Sequence, residues 1–149
     1  MEQHAQSARH HIQLLLDQLS AAWKAGDGQQ FAASFTENAD YVVFDGTHLR
    51  GRAAIAQVHQ ELFDGLMRGS ELVGSSVTDF QLLAPTVALL HSTGAVRMRW
   101  QKKAPVGRNS IQTLVAVQQE TGNWLFAAFQ NTRITRPGPL TKLFLRLMK

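Results

Sequence analysis

Near residue 70 the spacing of apolar residues changes from a helical to an extended period, and this one switch restricts the chain to an α+β fold. Before it, Ile12, Leu15, Leu16, Leu19, Ala22 and Trp23 recur at helical spacing, with Asp17, Gln18 and Lys24 opposite them, which predicts an amphipathic helix ending near Gly26. Asp27 followed by Gln30 forms a capping box, and Phe31, Ala32 and Phe35 would be the buried face of a short second helix. Tyr41–Phe44 is β-rich, Asp45-Gly46 supplies a turn, and Thr47–Arg50 completes a small hairpin. Gly51 opens a third helix on which Ile55, His59, Leu62, Phe63 and Leu66 share a face, stopping near Gly69. After the switch, four strands fit residues 70–82, 86–101, 109–120 and 123–135, joined by turns at Ala84-Pro85, Lys103–Gly107 and Thr121-Gly122. Residues 140–148 read as a short basic amphipathic helix after Pro137-Gly-Pro139.

The 149 residues suit one hydrophobic core, so a single domain spanning 1–149 is expected, with its core at about 12–135 and a basic tail at 136–149. The absence of cysteine excludes disulfides, thiolate metal sites and a cysteine nucleophile. The net charge of +4 belongs to the tail, where Arg133, Arg136, Lys142, Arg146 and Lys149 meet no acid. The other ten Lys and Arg are outnumbered by eleven Asp and Glu, which argues against nucleic acid as a partner. A second cluster, Arg97, Arg99, Lys102, Lys103 and Arg108, falls at a hairpin end, where a solvated strand end is the simplest reading. The polar start is unlike a signal peptide and no stretch approaches a membrane span, so the expectation is a soluble cytoplasmic protein.

The succession AAWKAGDGQQFAASFTENADYVVFDGTHLRGRAAI, then HQELFDG and TGNWLFAAFQNT, resembles the SnoaL-like branch of the nuclear-transport-factor-2-like superfamily, and within it the SgcJ/EcaC-type proteins. The resemblance covers residues 12–135. It implies a cystatin-like cone: three N-terminal helices packed in a curved antiparallel sheet, followed by a short C-terminal helix, with an apolar pocket inside. It also implies a homodimer formed through the outer sheet surface. This fold hosts isomerases, cyclases, dehydratases and pure binding modules, so the site must decide the function. No nicotinamide or flavin fingerprint accompanies the resemblance, and no cofactor is expected.

His59 is the most informative polar residue, because its helical neighbours place it on the face that should look inward. A neutral imidazole there suits proton transfer near neutrality, or it is a buried histidine satisfied by a backbone carbonyl or by Asn131. Asp45 is either a second proton-transfer group or simply the turn residue of Asp45-Gly46. The steroid-isomerase pattern of this fold is not matched: the only tyrosine, Tyr41, lies on the first strand, and no carboxylate occurs between Asp79 and Glu120. Candidate pocket residues are Trp23, Tyr41, Phe44, Phe63, His91, Arg97, Trp124 and Asn131, although the aromatic ones are equally at home in a core. His10, His11, His48, His59 and His91 lack metal-ligand spacing, so no metal is expected. Two functions follow: a cofactor-free isomerase, cyclase or dehydratase acting on a hydrophobic cyclic or polyketide-like molecule, or a non-catalytic module that binds such a ligand or dimerises through its sheet.

Overall fold

In the computed structural model, which describes residues 2–135 and 138–148, the first helix is longer than its apolar stripe: α1 spans Glu2–Ala25. It buries Ala8, Ile12, Leu15, Leu16, Leu19, Ala22 and Trp23. The Asp27 cap forms as the spacing requires, with its carboxylate accepting from the Gln30 N–H at 2.9 Å, and it starts α2, Gly28–Ala32. Helix α2 lies against α3, Arg52–Asp64, so closely that a Cβ on Gly28 would stand 2.5 Å from the Ala56 carbonyl oxygen. Gln60 closes this joint by accepting from the Gly28 N–H at 2.9 Å.

The strands are β1 (Phe35–Val42), β2 (His48–Arg50), β3 (Glu71–Ala84), β4 (Val87–Arg97), β5 (Asn109–Gln118) and β6 (Trp124–Arg133). They form one sheet in the order β2-β1-β6-β5-β4-β3. The meander β3 to β6 is antiparallel throughout, as its turns predicted. The expected wholly antiparallel cone is corrected on two points. Strand β1 pairs with β6 in parallel, so the sheet is mixed, and it is open, ending in edge strands β2 and β3 rather than closing or curling into a cone. Turn signals fix only the direction of consecutive strands. The direction of β1 relative to β6, an association across most of the chain, has no local signal.

The expected C-terminal helix is also corrected. Pro139–Leu147 is helical, but Leu140, Phe144 and Leu147 are 82%, 62% and 78% exposed, so the segment forms no layer of the fold. The break assigned to Pro137, and Arg136 before it, lie outside the described residues, as does the side chain of Leu143. Three boundaries move as well. Phe35 belongs to β1 rather than to the second helix, and β4 stops at Arg97. Helix α3 ends at Asp64, which leaves Leu66 69% exposed instead of on the inner face with His59.

The core lies between the helices and one face of the sheet. On β4 that face carries the buried Ala88, Leu90 and Ser92, and on β5 Leu114 and Ala116. The opposite face of β4, with Val87, Leu89, His91 and Thr93, is only half-buried. Arg52 ties α3 to the start of β1 through two N–H groups, Nε at 2.8 Å and Nη2 at 2.6 Å, both donating to the Phe35 carbonyl. This clasp sits where the β1–β6 register shifts, between Phe35 and Asp40.

Candidate functional site

His59 projects from α3 into the most aromatic part of the core and is 2% exposed. Its ring stacks on Phe31 with centroids 4.1 Å apart, and Trp23, Tyr41 and Phe63 meet it edge-on or tilted at 6.0, 5.2 and 6.1 Å. Nδ1 lies 2.8 Å from the Ile55 carbonyl oxygen, one turn back on the helix. A carbonyl can only accept, so Nδ1 carries the proton and Nε2 of the neutral ring is an acceptor. The Tyr41 hydroxyl, 3.3 Å away, donates to it. Tyr41 is in turn fixed by Phe129 of β6, stacked on it with centroids 4.4 Å apart, because parallel pairing sets the two residues side by side.

Burial dominates the electrostatics of this pair. It disfavours the imidazolium and pushes the His59 pKa down to about 4, opposed only in part by the bond to Ile55, which favours the charged ring. It disfavours the phenolate equally and raises the Tyr41 pKa. Near neutrality the pair is therefore a phenol donating to a neutral imidazole. Such a pair can hold a ligand by hydrogen bonds, but neither member has a pKa suited to exchanging protons at that pH.

Beyond Phe129 the same inner face of the sheet becomes polar. Asn131 of β6, Gln112 of β5 and Ser92 of β4 stand in register across three strands. Gln112 accepts from the Ser92 hydroxyl at 2.8 Å and donates through Nε2 to Asn131 Oδ1 at 3.1 Å and to Ser110 Oγ at 2.8 Å. Ser92 is 3% exposed, whereas Gln112 and Asn131 are half-buried. The Asn131 amide thus belongs to this row rather than to His59. Sequence reasoning singled out His59 and Asn131 individually as candidates, and named a backbone carbonyl as one partner of the histidine, which the Ile55 carbonyl is. It did not find the Tyr41–His59 bond or the Ser92–Gln112 link, since both join residues that only tertiary pairing brings together.

The remaining candidates are distributed as follows. Trp23 and Phe63 line the His59 core, their rings 5.1 Å apart in edge contact. The Trp23 indole N–H also donates to the buried Ser70 hydroxyl at 2.9 Å. Trp124 is buried on β6, about 16 Å down the strand from Phe129, at the end near α1. His91 and Arg97 lie on β4 facing away from the buried residues of that strand, and Arg97 pairs with Glu71. Phe44 is 48% exposed beneath the Arg133 guanidinium, 4.3 Å from the ring centre. Asp45 is exposed in the β1–β2 turn and accepts from the Thr47 N–H at 2.9 Å, which holds its carboxyl below the usual carboxylate range. The structure therefore gathers Trp23, Tyr41, His59 and Phe63, with Asn131 on the adjoining stretch of sheet, and sets Phe44, Asp45, His91, Arg97 and Trp124 elsewhere. Among the described residues no group of three or more His, Asp or Glu could hold a metal ion, and no helix is long and apolar enough to cross a membrane.

No protein-family model matches the chain, and no curated protein does. Solved structures match over nearly its whole length. A domain of unknown function with a cystatin-like fold from Nostoc punctiforme is 32% identical, with 95% of this chain and 83% of that one covered and a TM-score of 0.79. An uncharacterised protein with a cystatin-like fold from Caulobacter vibrioides is 26% identical, covering 92% and 96%, with a TM-score of 0.72. A putative scytalone dehydratase from Novosphingobium aromaticivorans is 17% identical, covering 91% and 89%, with a TM-score of 0.76. A sheet packed on three N-terminal helices, matched over 95% of the chain at 32% identity, settles the classification: the protein belongs to the family of that cystatin-like domain of unknown function.

Proposed function

We propose that this protein binds a small, largely apolar cyclic molecule at the inner face of its sheet, with the Tyr41–His59 pair as the polar contact. The observation that carries this reading is a neutral phenol–imidazole hydrogen bond enclosed by aromatic rings and continuous, through Phe129, with the half-buried Asn131–Gln112 row. An aromatic wall with a few convergent polar groups is the composition of a small-molecule site. In this tautomer His59 Nδ1 donates to Ile55 and the single Tyr41 proton is donated to His59 Nε2, so the pair offers a ligand the free lone pair of the Tyr41 oxygen, and a hydroxyl or N–H on the ligand is the group it would recognise.

Binding is favoured over the isomerase, cyclase or dehydratase reading. A base with a pKa of about 4 is mostly unprotonated near neutrality but abstracts protons weakly, and the buried phenol is a poor acid. The fold neighbour described as a putative scytalone dehydratase is too distant to lend its chemistry to these residues. A second, compatible reading is an interaction module: Val87, Leu89, Val115, Val117 and Leu125 form a continuous half-buried apolar patch on the outer face, suited to pairing with a second copy.

The test uses 1-tetralol, which has a ring hydroxyl, and tetralin, which lacks it. Tetralol is expected to raise the melting temperature more than tetralin, and Tyr41→Phe is expected to remove the difference while leaving the response to tetralin. If neither compound stabilises the protein, or if Tyr41→Phe responds as the wild type does, the reading fails.

A further inference from the structure

At the far end of the sheet, on the face turned away from the helices, is a cavity of about 570 Å³. Its position follows from register. Leu72 and Val96 pair across β3 and β4 and pack on the core, so the next pair, Val73 and Ala95, faces outward. These two side chains, with Ala104 and with Ile134 just past β6, supply the apolar part of the lining. Strand β3 is irregular here, its register shifting between Val73 and Ser76, and Gly74 sits in the shift with φ +72°. No atom lies within 4 Å of where a Gly74 Cβ would stand, so the backbone borders open space.

The β4–β5 connection supplies the cavity's charge. Met98, 1% exposed, anchors the connection, and the Gln101 side chain accepts from the Met98 N–H at 3.1 Å while the Gln101 N–H donates to the Met98 carbonyl at 2.9 Å. Lys102 and Lys103 follow directly and line the cavity beside Arg97. The lining holds these three cations and no carboxylate. Arg97 is already engaged by Glu71, whose carboxyl is held below its ordinary range by the Arg97 hydrogen bond and by Lys24. Lys102 and Lys103 take part in none of the ion pairs among the described residues. Two unneutralised ammonium groups thus stand beside an apolar hollow of the size that holds a small molecule.

We infer that this outer cavity is a binding site for a small organic anion, with its apolar body against Val73, Ala95 and Ile134 and its charged group at Lys102 and Lys103. Because the free cations are ammonium point charges rather than a guanidinium fork, they favour negative charge without demanding the planar geometry of a carboxylate. This gives the basic hairpin end a role beyond solvation, and it is independent of the interior site around Tyr41.

The experiment is an NMR titration of the isotopically labelled full chain with 2-naphthoate, 2-naphthyl phosphate and neutral 2-naphthamide, following the amides of Gly74 and Gly94. Both glycines border the cavity. Both anions are expected to move these signals, with the amide-bearing analogue at least tenfold weaker. The double variant Lys102→Gln/Lys103→Gln, at exposed positions where folding is not at risk, should weaken the anions at least tenfold and leave the neutral compound unchanged. Tyr41→Phe should bind the anions as the wild type does. A response to one anion only narrows the head group to that class. Signals that move around Tyr41 and Phe129 instead, no movement at all, or a double variant that binds like the wild type would each overturn the proposal.

Discussion

At the scale of single residues, His59 makes its strongest statement through pH. Its folded pKa of about 4 lies below the unfolded value of 6.5, so between these values the unfolded chain binds a proton that the folded one refuses. The contribution of the neutral ring is complete above pH 6.5, declines as the pH falls, and is exhausted near pH 4, a loss of about 3 kcal/mol. Melting temperatures from pH 7 to 4 should show this decline in the wild type and a shallower one in His59→Gln, which has no titrating ring. Equal slopes would mean that the imidazole is not buried as described. His59→Leu removes the partner of the Tyr41 hydroxyl and should cost about 1–3 kcal/mol at neutral pH. Tyr41→Phe leaves His59 Nε2 unpaired and should cost a similar amount. Urea denaturation separates these expectations from a surface histidine, for which both changes would be near zero.

At the scale of elements, the joint between α2 and α3 and the clasp between α3 and β1 are the contacts that hold His59 against Phe31 and Tyr41. Gly28→Ala would drive a Cβ into the Ala56 carbonyl and the Gln60 backbone, neither of which can give way as a side-chain tip would, so a loss of about 1–3 kcal/mol is expected. Arg52→Met strands the Phe35 carbonyl without its two charged donors and should cost about 1.5–3 kcal/mol, read by the same denaturation. Neither contact is visible in a one-dimensional pattern, which explains what could be read from the sequence. The Asp27 cap, the buried face of α1, the inward position of His59 and the antiparallel meander were legible because each depends on spacing or on a local turn. Phe35 was misplaced because an apolar residue next to Phe31 and Ala32 fits a helical stripe as well as a strand start. The parallel β1–β6 pairing, and with it the contact of Tyr41 with Phe129, is specified by burial over the whole chain. Alternation showed that β4 has two apolar faces but not which one is inside; the buried Ser92 and half-buried Thr93 settle it, and they send His91 and Arg97 outward.

At the scale of the whole molecule, two apolar surfaces lie outside the core, and their different packing predicts different behaviour. The segment 139–147 presents Leu140, Phe144 and Leu147 largely to solvent, so removing residues 138–149 should change stability by no more than about 0.5 kcal/mol, and a larger loss in calorimetry would place those side chains in a packed interface. The outer face of the sheet is a different case. Val87 pairs with Val117, Leu89 with Val115, and Val117 with Leu125, so their side chains adjoin across three strands on the face opposite the buried Ala88, Leu90, Leu114 and Ala116. Each is half-buried by its neighbours within the sheet, so pairing two copies would remove more apolar surface, and the three valines, stiff at χ1, would lose little freedom in doing so. A homodimer is therefore expected at micromolar concentration. The cavity beside Lys102 and Lys103 lies toward the opposite end of β4 on the same face. Light scattering should give twice the chain mass, and Leu89→Lys/Val115→Lys should return the monomer with its helical signal intact, because those positions contribute little to the core. A wild type that runs as a monomer at this concentration would remove the dimer.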